Sequence, residues 1–479
     1  MTPLGRCLLT ACLALAYSPL GPAAEPVGQK AKEPDQVSYY RDVRRVFQQQ
    51  CQGCHQPAKA QGGFIMTSHA ALLDKGDSGE PGVVPGKPEA SKIVAQITAQ
   101  GDKRPAMPKG KEPLTPFEVN LIKKWIAQGA KDDTPASARQ VVDAEHPPIY
   151  ISPPVITDMV YSPDGNILAV SGYHEVLLHK ADGSGLIARL VGLSERVQSL
   201  AFSPDGKLLA VTGGDPCRFG EVQIWDVAKR TLKLSIPVTY DTVYGASWSP
   251  DGTKIAFGCA DNSLRAIEAK TGKQVLFQGA HSDWVLDTVF STDGSHLVSV
   301  SRDMSMKLTE VATQRFVDNV TSITPGALKG GLQTVARHPK KDELLIGGSD
   351  GVPKIYKMYR DKKRVIGDDF NKIREFESMP GRVFKARYNA DGSRIIAGSS
   401  FQGRGEVRVY QTADGKLVSK LEGQQGAVFA VAYRPDGKQV ASGGFDGLVR
   451  LNDPQTGKLI KEFLPVPMGS QTVTTSAKR

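Results

Sequence analysis

The most reactive side chains of the sequence stand together near its N-terminus, in the pentapeptide Cys51-Gln52-Gly53-Cys54-His55. Two thiols at this spacing, at the end of a helix, can add to the two vinyl groups of one haem. The imidazole of the next residue then lies beneath the iron as a proximal ligand. The motif therefore predicts one covalently attached haem c, held by Cys51 and Cys54, with His55 on the metal.

Two other uses of a Cys-x-x-Cys pair are disfavoured by the surrounding sequence. A tetrahedral zinc site needs two further ligands, and neither a second Cys-x-x-Cys nor a histidine pair with zinc-finger spacing follows the motif. A thioredoxin-type dithiol belongs in a βαβ context, which the flanking pattern lacks. The pentapeptide is therefore interpreted as a haem attachment site.

Helices are predicted on both sides of the motif. Tyr40, Val43 and Phe47 recur at helical spacing and would form one apolar stripe that leads into Cys51. Further along, residues 115–118 (TPFE) combine a capping box with proline at the first helical position, and the helix they begin is expected to carry Phe117 on its apolar face. Two helices packed across a haem is the plan expected for this domain.

A second axial ligand is needed opposite His55, and a methionine sulfur there gives a high-potential electron carrier. Met107 is preferred because it lies between prolines on a short loop before the C-terminal helix, and proline limits the entropy lost in fixing a loop. The alternatives are Met66, in an apolar patch, His69, and an open site with no second ligand.

Further short motifs follow the pentapeptide along the chain. In order, they are Gly62-Gly63-Phe64, Gly76-Asp77-Ser78-Gly79, Val84-Pro85-Gly86-Lys87-Pro88-Glu89, Ala106-Met107-Pro108 and a final segment at residues 121–129. With the pentapeptide they resemble the planctomycete-type cytochrome c domain, which is often fused to propeller repeats. The resemblance covers roughly residues 44–131. It implies covalent haem c with axial ligands that correspond to His55 and Met107.

The C-terminal two-thirds of the chain is a repeat array. A turn of the type Ser162-Pro163-Asp164-Gly165 recurs, with variations, seven times at spacings of 41 to 52 residues. Short β-branched segments lie between the turns, as expected for blades of four strands. We therefore predict a multidomain chain: a small all-α cytochrome c domain followed by an all-β, seven-bladed propeller.

The repeats resemble the WD40 family in two places. Trp225-Asp226 is the characteristic dipeptide of the second repeat, and Gly279-Ala280-His281-Ser282-Asp283-Trp284 matches the histidine-bearing loop of the fourth. The resemblance implies a buried hydrogen-bond relay of His281 with Asp303 and either Ser299 or Ser301. It is strong for fold and nearly silent on function, because propellers carry unrelated activities.

Composition sets the expected boundaries and compartment. Residues 1–24 read as a secretory signal peptide, with Arg6 before a short apolar run and small residues near Ala24. A leader (25–36), the cytochrome domain (37–131), a linker (132–148), the propeller (149–465) and a polar tail (466–479) follow. The mature protein is expected to be periplasmic or otherwise exported and to have no transmembrane anchor. Lipidation at Cys12 is the alternative to cleavage near Ala24.

Charge favours protein partners over nucleic acid. The net charge of +10 is spread along the chain, without the interleaved aromatic and basic residues of a nucleic-acid surface. Four basic residues crowd the Met107 loop, and they could steer an acidic redox partner or form a solvated rim: Lys103, Arg104, Lys109 and Lys111. The charged segment 359–364 could likewise bind a partner or be a solvated hairpin.

Three functions are compatible with the sequence. The first is an electron-transfer protein whose propeller is a docking platform for other proteins. The second is a periplasmic redox enzyme with a substrate site in the propeller channel, and the third is a haem-bearing envelope scaffold or sensor. No catalytic residue is assigned. Cys217 and Cys259 lie in adjacent repeats, and whether they pair is left open.

Overall fold

The computed structural model of the protein describes residues 35–57, 59–101, 103–135, 142–322, 329–365 and 367–469. The predicted signal peptide lies outside these residues, as do most of the predicted leader and polar tail. Within the described ranges, every helix is too short or too polar to span a membrane. From Val37 onward, the described residues form one compact unit.

The N-terminal part of this unit is mainly helical. A π-helical turn, Tyr39–Val43, runs directly into the first helix, and short 3-10 turns occur at Gln61–Gly63, Gly76–Ser78 and Pro88–Ala90. The α-helices are α1 (Arg44–Gln50), α2 (His69–Leu72), α3 (Lys92–Ile97) and α4 (Pro116–Ala127). The two-residue strands β1 (His55–Gln56) and β2 (Lys59–Ala60) pair as a hairpin between them.

The core of the helical part forms around Trp125 of α4. Tyr39 stacks on Trp125 with the ring centroids 5.3 Å apart, and Phe47 of α1 meets it edge-on at 6.5 Å. Tyr40, predicted on the apolar stripe, is only half-buried. The cause is the π-helical turn, which holds one more residue per hydrogen-bonded turn than an α-helix and so shifts the buried face to Tyr39.

Helix α4 begins with the predicted capping box. The Thr115 hydroxyl accepts a hydrogen bond from the Glu118 backbone N at 3.3 Å, and the Glu118 carboxylate accepts one from the Thr115 backbone N at 2.7 Å. Phe117, expected on the buried face, is exposed instead. Burial on this helix starts at Leu121, so its first turn lies beyond the core.

The C-terminal part consists of antiparallel strands in chain order. Seven strands share the first sheet: β3 (Met159–Tyr161), β4 (Ile167–Ser171), β5 (Tyr173–Lys180), β6 (Leu186–Phe202), β7 (Leu208–Asp215), β8 (Phe219–Asp226) and β9 (Thr231–Thr239). The long strand β6 serves two repeats, because its first half pairs with β5 and its second half with β7.

Five sheets of four strands follow. Their strands are β10 (Val243–Trp248), β11 (Lys254–Cys259), β12 (Leu264–Glu268), β13 (Gln274–Gln278); β14 (Val285–Phe290), β15 (His296–Ser301), β16 (Met306–Glu310), β17 (Phe316–Asn319); β18 (Leu332–Arg337), β19 (Glu343–Gly348), β20 (Lys354–Lys357), β21 (Lys372–Glu375); β22 (Arg382–Tyr388), β23 (Arg394–Phe401), β24 (Arg404–Gln411), β25 (Leu417–Lys420); β26 (Val428–Tyr433), β27 (Val440–Gly444), β28 (Val449–Asn452), β29 (Leu459–Phe463). The fold is therefore a few helices followed by many strands in WD40-like sheets.

The recurring turns connect the first two strands of each repeat. In the second repeat, the Ser203 hydroxyl donates to the Asp205 carboxylate at 2.7 Å, and the same carboxylate accepts the Lys207 backbone N at 3.1 Å. Gly206 takes a φ of 72°, a conformation that costs glycine little. The turn residues that first marked the repeat are thus each used in the turn itself.

The two ends of the strand array contact each other. The Ile156 backbone N donates to the carbonyl of Gly444 in the last sheet at 2.9 Å, and buried apolar residues of the first and last sheets share one cluster. Lys385 of β22 also forms a buried ion pair, at 3.1 Å, with Asp158, which directly precedes β3. These contacts join parts of the array that are far apart in the chain.

The predicted relay of the fourth repeat is confirmed. His281 Nδ1 lies 2.9 Å from the Asp303 carboxylate, and its Nε2 lies 2.8 Å from the hydroxyl of Ser299. Ser301, the other candidate, donates to the Asp283 carbonyl instead. Burial opposes ionisation of Asp303, but hydrogen bonds from His281 and Ser305 outweigh it and lower the pKa of this carboxyl. His281 therefore has a structural role.

Candidate functional site

The pentapeptide lies where α1 ends. The Cys51 backbone N still donates to the Phe47 carbonyl, at 2.9 Å, and the backbone N atoms of Cys54 and His55 both donate to the Cys51 carbonyl at 3.1 Å. These bonds form one tight turn after the helix. The turn holds the two thiols and the imidazole within five consecutive residues at the surface of the helical core.

A cavity of about 680 Å³ opens beside this turn. Cys51, Cys54 and His55 line it, together with Met107. The remaining apolar lining comes from Phe64, Met66, Ile93, Ile97, Pro108 and Leu234. The structure thus brings all four predicted site residues to one cavity, although Met107 is far from the others in sequence.

The orientation of His55 suits a metal ligand. Its Nδ1 lies 3.1 Å from the carbonyl of Phe64, a hydrogen bond that requires the proton on Nδ1. The lone pair of the neutral ring is then on Nε2. A backbone carbonyl on the far nitrogen is the usual way in which proteins fix the tautomer of a ligating histidine.

The three candidates for the second axial ligand differ in position. Met107 is partly buried and lines the cavity, while its backbone N donates to the Gln96 carbonyl at 2.9 Å. Met66 also lines the cavity but is buried in the helical core. His69 lies outside the cavity lining, with its Nε2 bonded to the Ala130 carbonyl at 2.7 Å. Met107 and Met66 therefore remain in reach of the cavity.

Electrostatics around the thiols reflect both burial and a neighbouring lysine. Burial raises the pKa of Cys51 to about 12, although the nearby Lys111 ammonium opposes this shift. Desolvation in turn lowers the pKa of Lys111, while the two thiols oppose that change. At neutral pH the Cys51 side chain is therefore a neutral thiol. Among the described residues, no group of three or more His, Cys, Asp or Glu is arranged to hold a metal ion.

The predicted basic rim divides into two pairs. Lys109 and Lys111 line the cavity, and three further lysines from other segments do so too: Lys59, Lys75 and Lys92. Arg104 is engaged elsewhere, because it donates to the Lys111 carbonyl at 2.7 Å and pairs with Glu112 at 3.2 Å. Lys103 is exposed and outside the lining. The positive charge at the cavity is thus gathered from more of the chain than the Met107 loop.

A strand of the second repeat forms part of the cavity wall. Leu234 and Ser235 of β9 line the cavity, and β9 is the edge strand of its sheet. The Gln49 side chain donates to the Thr239 carbonyl at 3.1 Å, and the Lys59 ammonium donates to the Lys233 carbonyl at 2.8 Å. Side chains around the pentapeptide therefore satisfy carbonyls that an edge strand would leave exposed.

Gly53, between the two cysteines, makes the closest approach to this strand. A Cβ at this position would overlap the carbonyl oxygen of Ser235 and lie 3.2 Å from Cδ of Pro237. The middle of the pentapeptide must therefore be glycine for β9 to lie against it. The sequence did not indicate this contact, because its two sides are about 180 residues apart.

Replacing Gly53 with alanine should weaken the contact between the pentapeptide and β9 without removing either cysteine. Overpacking of this kind costs about 1–3 kcal/mol. Urea unfolding of the full chain measures the cost as a lower transition midpoint. Gly185→Ala is the matched control, because no atom lies within 4 Å of a Cβ built at Gly185. Equal midpoints for the two variants would contradict the proposed clash.

A second contact joins the two parts of the chain near Tyr40. The Arg218 guanidinium donates to the Tyr40 hydroxyl at 2.7 Å and lies over its ring at 5.6 Å from the centroid, while Arg44 lies over the same ring at 5.1 Å. Arg218 also pairs with Asp215 at 3.0 Å. Tyr40 therefore serves the contact with the strand region, not the helical core.

Two remaining predictions concern residues outside the cavity. Cys217 is exposed, Cys259 is buried, and both are free thiols. In the charged segment 359–364, Arg360 pairs with Asp368 at 2.7 Å and Arg364 pairs with Asp318 at 2.9 Å. These ion pairs tie the segment to its own repeat and the one before it.

Comparison with known families supports both parts of the chain. The family described as planctomycete cytochrome C matches residues 51–110. The WD domain, G-beta repeat family matches residues 185–217, 231–267, 272–309 and 415–453. The chain therefore carries a cytochrome c-like domain fused to a WD40 region, which confirms the resemblance inferred from the motifs.

Curated relatives match the WD40 region. A WD repeat-containing protein 26 homolog of Arabidopsis thaliana is 25% identical over 210 residues, which cover 43% of this chain and 32% of that protein. Eukaryotic translation initiation factor 3 subunit I of Coccidioides immitis is 29% identical over 155 residues, 32% of this chain and 43% of that protein. The chain thus spans less than half the length of these relatives. The repeats and these matches support a protein-interaction platform.

Proposed function

We propose that the protein is an exported c-type cytochrome that carries one covalent haem c and transfers electrons, with the WD40 region as a docking platform. The observation that carries the proposal is the cavity of about 680 Å³ that Cys51, Cys54, His55 and Met107 line together. A haem needs a largely apolar pocket with two thiols on one side and axial ligands within it, and this residue set meets those needs.

Each residue has a defined role in holding the haem. Cys51 and Cys54 would hold the haem covalently, each by addition of its S–H across one vinyl group, so that sulfur and hydrogen both come from the thiol. His55 would hold the iron through Nε2, because the Phe64 carbonyl engages its Nδ1. Met107 would supply a second ligand from the cavity lining. The bound haem supplies a one-electron carrier, and the protein supplies its orientation and its exclusion from water.

The WD40 region is proposed to close into a seven-bladed propeller. Support comes from β6, which serves two four-stranded repeats, and from the contact of Ile156 with Gly444 at the two ends of the array. Strand β26 lies between β22 and β3. The ion pair of Lys385 on β22 with Asp158 beside β3 therefore connects inner strands that are not neighbours, which further supports closure. Closure removes all but short sheet edges.

The proposed boundaries follow the composition of the chain. The signal peptide comprises residues 1–24, the leader 25–36, the cytochrome domain 37–131, the linker 132–148, the propeller 149–465 and the tail 466–479. Export to the periplasm follows from the signal peptide and suits haem c, which bacteria attach outside the cytoplasm. The redox partner is expected to be an acidic protein, since five lysines line the cavity.

The enzyme alternative requires a reactive group at the centre of the propeller. Two carboxylates of the inner strands and their approach form ion pairs: Asp158 with Lys385 at 3.1 Å, and Asp287 with Arg387 at 3.5 Å. Asp287 also accepts hydrogen bonds from the hydroxyl of Thr334 and the backbone N of Val335. These contacts support a structural role and favour electron transfer over catalysis.

The full chain, expressed with its leader in a host that attaches haem c, tests the proposal. The purified protein should be one haem heavier than its polypeptide, and its reduced-minus-oxidised spectrum should be that of a c-type haem. Reversible reduction by a small dye completes the expected result. Protein without covalent haem would overturn the proposal. Rapid reduction by a periplasmic small molecule, without a partner protein, would replace it with the enzyme alternative.

A further inference from the structure

Glu221 is a buried carboxylate in the sheet that forms part of the cavity wall. It lies on β8 with 1% of its surface exposed. Its carboxylate accepts hydrogen bonds from the Ser194 hydroxyl at 2.7 Å, from the Gln223 amide at 2.7 Å and from the Ser235 hydroxyl. Among the described residues, the donors that reach this carboxylate are two hydroxyls and one amide. Its partners are therefore neutral donors that converge on one acid group.

Ser235 links this carboxylate to the cavity. Its hydroxyl donates to Glu221, while Ser235 itself lines the cavity and its carbonyl lies against Gly53. Only Ser235 thus separates Glu221 from the turn that carries both cysteines. Glu80, an acidic residue of the lining itself, pairs with Lys92 instead.

The arrangement is electrostatically unusual. A buried carboxylate is costly unless it is paired or hydrogen-bonded, and three donors meet this one. In a low-dielectric wall its field is weakly screened by salt. A ferric haem carries one more positive charge than a ferrous haem, so a fixed negative charge nearby stabilises the oxidised state and lowers the midpoint potential.

We propose that the Glu221 carboxylate of the WD40 region lowers the redox potential of the haem in the cytochrome domain through its electric field, with Ser235 as one of the three donors that hold the carboxylate in place. The inference rests on the proposed function, since it needs a haem in the cavity. It gives the fused WD40 region a second role besides docking, because its second repeat places a carboxylate directly behind the cavity wall. The lysines that line the other walls act in the opposite direction.

The test is the midpoint potential of the full, haem-loaded chain, measured by spectroscopic titration. Glu221→Gln removes the charge with little change in shape, and its potential should rise above that of the unmodified protein. Gln223→Lys places an ammonium where the Gln223 amide now donates, and it should raise the potential in the same way. If one of these buried substitutions prevents folding, the other decides the question.

Two further variants separate charge from packing. Ser235→Ala keeps the carboxylate, so its potential should not rise. Glu268→Gln makes the same chemical change on β12, outside the cavity lining, and should leave the potential unchanged. An unchanged potential in Glu221→Gln or Gln223→Lys, or an equal rise in Ser235→Ala, would overturn the inference. Protein without covalent haem would instead mean that the proposed function itself had failed.

Discussion

Simultaneous replacement of Cys51 and Cys54 by alanine should abolish covalent haem completely. No other described cysteine lines the cavity, so no thiol would remain there to form a thioether bond. Either single variant should keep haem through one bond. Intact mass and the visible spectrum, both recorded after extraction with acidified organic solvent, distinguish these states because the extraction removes only haem that is not covalently bound.

Cys217→Ala is the matched control, since Cys217 is an exposed free thiol outside the cavity lining. It should keep its full complement of haem. Retention of haem by the double variant after extraction would contradict the assignment of the two cysteines. Loss of haem in the control would mean that the method reports expression or stability and not attachment.

Met107→Ala should lower the midpoint potential strongly and remove the methionine-to-iron charge-transfer band. A methionine sulfur on the iron raises the midpoint potential of a haem relative to harder ligands. The identity of the axial ligands sets this potential over a range of about 0.8 V. The midpoint potential of Met107→Ala is therefore expected to fall by a substantial part of that range. Spectroelectrochemical titration of the full chain measures the change, with haem content recorded beside it.

Met66→Leu is the appropriate control for Met107→Ala. Met66 lines the same cavity but is buried in the helical core, and leucine conserves most of its volume. Its potential should remain close to that of the unmodified protein. A preserved potential and band in Met107→Ala, or their loss in Met66→Leu, would transfer the axial role to Met66.

Local chemistry made the pentapeptide, the α4 capping box and the repeat turns predictable from sequence. Each depends on residues only a few positions apart, such as Thr115 with Glu118 or Ser203 with Asp205. Helical spacing failed at Tyr40 because the π-helical turn changes the number of residues per turn. A period assumed to be constant cannot reveal such an insertion.

Contacts between distant segments left no local pattern. Ser235 and Glu221 read as ordinary residues of a repeat, and only the fold brings Ser235 beside Gly53 and the cavity, with Glu221 bonded behind it. The sequence therefore indicates the lining residues that have recognisable chemistry, but not the part of the lining that β9 supplies. The one available signal was a glutamate inside β8, which is otherwise mainly apolar.

The packing of Gly53 against Ser235 also bears on how such fused chains can diverge. The two positions between the cysteines of a haem attachment motif are free as far as thioether chemistry is concerned. In this protein the second of them is restricted by a strand from another part of the chain. In related chains that have a larger residue at the position of Gly53, the strand equivalent to β9 must pack differently against the motif. The residue at this position should therefore covary with the outer strand of the second repeat.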